Sequence, residues 1–243
     1  MAWGSLNTLG SNQIKTSGTN NLTITTTAIA EVGNVIIVIV AGDNIAIVDG
    51  DSTNVSITDA AGNTYTRAKE WTNDISGAGT GAVAAIFYSK VTTQLNSGAL
   101  ITITTTSAIT AKAASAWEFS IGAGNVVSVQ GSAGLSTDGA DPAAITISGL
   151  TSAEYLWIHC VAHEGPNTDA FTQDIDYLSL DANGTTAGGA ASNMSVRGGR
   201  RIFTGTTDTV DVTYTAADHA QAYVALKEAA PPAAVGFSKG YVF

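Results

Sequence analysis

Apolar and polar positions alternate along almost the whole chain. Asn21-Leu-Thr-Ile-Thr-Thr-Thr27, Leu100-Ile-Thr-Ile-Thr-Thr-Thr106, Ala144-Ile-Thr-Ile-Ser148 and Thr209-Val-Asp-Val-Thr-Tyr-Thr215 all read with period two. That period sends one set of side chains into a core and the other outward, and β-branched residues suit such a half-buried, pleated surface. Strands are expected at 21–29, 34–42, 54–59, 63–71, 82–91, 99–106, 112–121, 125–130, 143–148, 154–163, 176–181, 193–203, 208–215 and 220–227. Turn residues separate them, as at Ala61-Gly-Asn63, Asn96-Ser-Gly98 and Asp181-Ala-Asn-Gly184. No stretch carries the period of a long amphipathic helix. The expected class is all-β, an antiparallel β-sandwich or jelly roll, built as one large sandwich or two packed ones.

The ends differ from the middle. Residues 1–20 are polar and Gly-rich, with apolar anchors at Trp3, Leu6, Leu9 and Ile14, and read as an arm or an edge strand. Residues 21–228 form the expected sandwich. From Ala229 the chain changes: Pro231-Pro232 cannot continue a strand and favours an extended path. The Pro-rich segment 229–243 then carries Phe237, Tyr241 and Phe243, which makes it a candidate docking tail with those three rings as anchors.

A weak repeat runs through the middle. Gly33-Asn-Val-Ile-Ile-Val-Ile-Val-Ala-Gly42 is echoed by Glu154-Tyr-Leu-Trp-Ile-His-Cys-Val-Ala-His163. Ala114-Ser-Ala-Trp-Glu-Phe119 is echoed by the run from Ala220 through Tyr223. Either two related halves, about 21–130 and 131–228, or the sameness of Thr/Val hairpins accounts for it.

Composition narrows the function. Only 12% of the 243 residues are charged and the net charge is −10, which argues against a nucleic-acid partner, where a basic stripe would be needed. The most apolar run, Val35–Val40, is too short to span a bilayer, and Met1-Ala-Trp-Gly-Ser5 has neither the basic nor the apolar region of a secretory signal. Cys160 is the only cysteine and lies in an apolar run, so an inert buried thiol is expected. With 44% apolar residues and so few charges, much surface suits only packing, and a homo-oligomer is expected, a trimer first.

Candidate chemistry is sparse. His159 and His163 share a strand face but stand about 13 Å apart at 3.3 Å per residue, too far for one metal ion. Asp49-Gly-Asp-Ser-Thr-Asn54 alternates oxygen ligands but lacks the sixth-position glycine and the twelfth-position glutamate of a calcium loop, and Asp174, Asp176 and Asp181 read alike as turn residues. Neither a nucleophile elbow nor a phosphate-binding loop occurs, so no enzyme, metal or cofactor is expected. Arg197, Arg200 and Arg201 gather three of the ten basic residues into a candidate subunit contact, or into pairs with aspartates of their own hairpin. Trp117 and Trp157 lie within strands and suit packing, whereas Trp71, at a strand end, is a candidate sugar contact.

Ile57-Thr-Asp-Ala-Ala-Gly-Asn-Thr-Tyr65, Ala85-Ile-Phe-Tyr-Ser-Lys90, Ala116-Trp-Glu-Phe-Ser120 and Ala222-Tyr-Val-Ala-Leu-Lys-Glu228 together resemble β-sandwich proteins of tailed-bacteriophage virions. The resemblance spans most of 21–228 and carries no catalytic signature. It implies a capsid decoration (cement) protein or a fibre or tail component, located in the virion, partnered by the major capsid protein or other virion subunits, and often trimeric. Heptads and collagen-like repeats are missing, which turns the resemblance toward a compact decoration protein. A carbohydrate-binding or adhesion module of a tail or fibre is the alternative.

Overall fold

In the computed structural model the chain is described over residues 3–4, 6–16, 18–43, 45, 49–73, 81–189 and 192–231. Every element among them is a strand, in antiparallel sheets packed as a β-sandwich. Strands β1 (Leu6–Lys15), β9 (Ala111–Phe119), β3 (Val35–Asp43), β7 (Ala82–Lys90), β6 (Thr66–Asn73) and β4 (Gly50–Asp51) form one sheet in that order. A three-stranded sheet of β2 (Asn21–Thr25), β8 (Leu100–Thr105) and β5 (Val55–Asp59) covers its outer face. The later strands β10 (Val126–Ala140), β18 (Ala217–Ala229), β12 (Ala153–His163), β15 (Ser195–Gly205) and β14 (Leu178–Gly184) form a second large sheet. Two short ladders cover that one: β11 (Ile145–Ile147) with β16 (Asp208–Val210), and β13 (Phe171–Thr172) with β17 (Thr213–Tyr214).

The two large sheets repeat one strand order. β1-β9-β3-β7-β6 corresponds position for position to β10-β18-β12-β15-β14, and the chain passes from the first set to the second between β9 and β10. Register makes the correspondence residue by residue. Val35 pairs with both Phe119 and Lys90, as Leu156 pairs with both Leu226 and Ile202. Val35, Ile37, Ile39 and Ala41 thus match Leu156, Ile158, Cys160 and Ala162, and all eight enter one shared core between the large sheets.

The echo between 33–42 and 154–163 therefore lies in register. The echo between Trp117 and Tyr223 is one residue out: pairing sets Trp117 opposite Ile37 and Val224 opposite Ile158. Trp117 faces the shared core and Tyr223 faces the outer layer, because a one-residue slip in a strand exchanges its faces.

The large sheets stack reciprocally. β1 lies on β14 and β6 on β10, β9 on β15 and β7 on β18, with β3 on β12 between them. Corresponding pairs that exchange partners are the signature of a two-fold interface, here closed within one chain. The closest approach is at Gly134 of β10, where an added Cβ would come within 2.1 Å of Trp71 Cε3. A flat indole on bare backbone lets β6 and β10 meet.

The outer layers differ in chemistry. The core of the first sandwich is apolar, with Ile36, Val38, Val40, Val83, Ala85 and Phe87 on its inner faces. The second places His159, Ser195, Arg197 and Gly199 at the positions that match Val38, Val83, Ala85 and Phe87.

Candidate docking edge

β14 and β15 build the most distinctive surface. β14 begins at Leu178, opposite Arg200, so from Arg201 to Gly205 β15 is paired on its β12 side alone among the described residues. An open cleft of about 460 Å³ occupies the space where β14 would continue, lined by Asp176, Leu178 and residues 200–203. Three large apolar side chains in its lining are held in water: Leu178 is 60% exposed, Phe203 37% and Ile202 36%; Ile175, next to Asp176 in sequence, is 99% exposed. Scattered singly these would be ordinary, but three lining one cleft form a patch.

The arginines divide by strand parity. Arg197 and Arg201 face the outer layer: Arg197 donates from Nη2 to Asn167 O at 2.6 Å and from Nε to Tyr214 Oη at 3.2 Å. Arg201 pairs with Asp208 at 2.7 Å and Asp176 at 3.2 Å, and lies 4.3 Å from the centre of the Phe203 ring. Arg200 points the other way, toward Phe119, at 5.9 Å from its ring centre. It forms no ion pair with a described residue, and its Nε is buried without a hydrogen-bond partner among them. The triplet Arg197, Arg200 and Arg201 is thus two internally committed guanidinium groups and one uncommitted one.

Behind Arg201 the edge is stiff. Asp208 Oδ2 lies 2.6 Å from Tyr177 Oη and 3.0 Å from Tyr223 Oη, and the two phenol oxygens also lie in contact, so their two protons are shared around this cluster. Burial holds both phenols well above their ordinary range. The network fixes Arg201 and with it the Phe203 face.

The other candidates fall into structural settings. His159 is buried with Nε2 3.0 Å from Gln221 Oε1, and desolvation pulls its pKa down to about 4. His163 is buried too, with Nε2 3.1 Å from Asp169 Oδ2 and its ring stacked on Tyr214. Cys160 lies in the shared core, its thiol pushed up to about 12 by burial. In the loop before β5, Glu70 accepts from Ser52 Oγ and Asn54 N, both at 2.5 Å, and Asp51 pairs with Lys69 at 3.2 Å. No three His, Cys, Asp or Glu converge among the described residues. Trp117 and Trp157 are buried, whereas Trp71 is half-buried, lies on Gly134 and donates from Nε1 to Ser136 Oγ at 3.3 Å. The tail anchors Phe237, Tyr241 and Phe243 lie outside the described residues.

Leu178, Ile202, Phe203 and Ile175 were not singled out by sequence. Their one available signal was apolar residues next to an arginine triplet, but exposure there depends on where a distant strand begins.

Strand content and layer order define a double β-sandwich, with an exposed apolar cleft at the β14–β15 edge. No family model matches the chain, and the comparisons with curated proteins and with solved structures found no match.

Proposed function

We propose that this chain is a structural protein that works by binding rather than catalysis, attaching to a larger particle through the β14–β15 edge. Its most concrete form is a capsid decoration protein of a phage virion, clamped to major capsid subunits and acting as a homo-oligomer, a trimer first. The observation that carries the docking part is the exposed Leu178, Ile202 and Phe203 patch beside Arg200, which pairs with no carboxylate among the described residues. The virion part is supported by the resemblance of segments 57–65, 85–90, 116–120 and 222–228 to phage β-sandwich proteins. A rigid body with a stiffened edge suits this role, because a preordered surface loses little freedom on docking. Each added contact would then raise the temperature at which the shell comes apart, as any ligand of the assembled state does.

The test is co-sedimentation with purified expanded phage shells that lack their own decoration protein. Wild-type chain is expected to pellet with the shells and Leu178→Glu to stay in solution with its fold intact by circular dichroism. Equal pelleting of the two proteins would end the assignment of this edge as the docking surface. A wild type that never pellets would end the virion assignment.

A further inference from the structure

The internal repeat supplies a control for the docking edge. Thr66, Tyr88 and Lys90 of the first sandwich occupy the positions of Leu178, Arg200 and Ile202, since Thr66 pairs with Tyr88 as Leu178 pairs with Arg200. They line a corresponding open cleft of about 300 Å³, and here the same chain supplies part of its wall. Val126 and Val127, at the start of β10, form part of the lining, and Lys90 Nζ donates to the neighbouring Asn125 O. In the second sandwich the matching cleft is larger, its apolar rim is exposed, and of its two cations Arg201 pairs with Asp176 while Arg200 has no carboxylate among the described residues.

We infer that the cleft at Leu178, Arg200 and Ile202 receives an extended segment of a partner polypeptide, which continues β14 along the free side of β15 and places an acidic side chain on Arg200. Three properties of the site select that occupant. The backbone of β15 beyond Arg200 has a strand on one side only, so an added strand gains main-chain hydrogen bonds there. Side chains that point alternately to the two faces would meet Leu178 and Ile202 on one and Phe203 on the other. Arg200, without an ion pair among the described residues of a molecule of net charge −10, is a local exception that rewards a carboxylate and penalises a lysine. The order expected in the partner is therefore apolar, polar, apolar, with one Asp or Glu near the middle.

This inference rests on the proposed docking role of the same edge but not on the nature of the particle. It is tested on the full chain by fluorescence anisotropy with a labelled eight-residue peptide of alternating Val and Thr carrying one central Asp. Binding is expected to weaken on the order of tenfold when that Asp becomes Asn or when Arg200 becomes Gln, and further when it becomes Lys. A peptide with proline at alternate positions should not bind, because the ladder donors are gone. The peptide variants leave the protein untouched, so a loss there is not a folding defect. Binding that ignores the Asp, or no binding at millimolar peptide, overturns the inference. So does self-association of the chain that Arg200→Gln abolishes, since a second copy would then be the occupant. If Leu178→Glu loses the shells while Arg200→Gln keeps them, the docking edge stands and the acidic strand falls.

Discussion

Glu164 shows how one buried side chain ties this fold to pH. It follows β12, is 5% exposed, and accepts a hydrogen bond from the backbone of Gly81. Desolvation, with Asp218 and Asp43 nearby, raises its pKa from 4.5 to about 8. The folded chain therefore prefers the protonated carboxyl. Its contribution to stability is complete below the ordinary pKa and is lost as pH rises through about 8. The Glu164 share of the melting temperature should fall between about pH 4.5 and 8 in the wild type, and Glu164→Gln should flatten that slope. His159 works in the opposite direction. Its lowered pKa favours the neutral ring, so its share of stability is complete above 6.5 and is lost as pH falls through about 4. His163 and His219 are lowered too, and acid melts should steepen below pH 6.5. Gly134 makes the simplest steric case. Gly134→Val would drive a side chain into the Trp71 ring, and chemical denaturation should register a loss of about 1–3 kcal/mol, the usual range for overpacking.

At the scale of elements, alternation located most strands because each buries one face, and the period survives in sequence. β2, β3, β5, β7, β8, β9 and β12 fall within a few residues of the expected runs. The sequence reads residues 1–20 as an arm or an edge strand, and pairing resolves it: β1, Leu6–Lys15, pairs with β9. Its polar side chains hid it, and so did the irregularity between Thr8 and Gly10. Gly10 has φ of +139°, and a Cβ there would stand 2.9 Å from Thr25 O. Gly10→Val should loosen β1 selectively, seen as faster amide exchange from Leu9 to Lys15 while β3 and β12 stay protected. β10 was read as 125–130 but runs to Ala140, since its Gly and Ser residues gain their place from packing on β6 and pairing with β18. The docking edge was half legible. Three neighbouring arginines are visible in any sequence, but which one stays unpaired depends on strand parity and on an aspartate eight residues beyond Arg200.

For the molecule as a whole, the shared core between the large sheets is the largest structural commitment. Val35, Ile37, Ile39, Leu156, Ile158 and Leu226 are completely buried there, and each such side chain contributes roughly 1.5–3 kcal/mol. Neither sandwich can keep that face dry alone, so heat should unfold the chain in one transition rather than two. A stronger check uses residues 1–124 by themselves. Because the seam is two-fold in pattern, the isolated first sandwich is expected to pair with a second copy through β3, β7 and β9. Light scattering should then give twice the fragment mass, and Ile37→Asp should abolish the pairing.

The unlike lining of the two matching clefts bears on the valence of the chain. A symmetric pair of sandwiches would offer two attachment points and could tie neighbouring objects together unaided. Here Val126 and Val127 of the same chain help wall the first cleft, whereas the second is lined by Leu178, Ile202 and Phe203, leaving one cleft of that kind among the described residues. A monovalent unit can cap a surface but cannot bridge one. Any crosslinking of a lattice by this protein must then come from copy number, with each further copy in an oligomer adding one more hand.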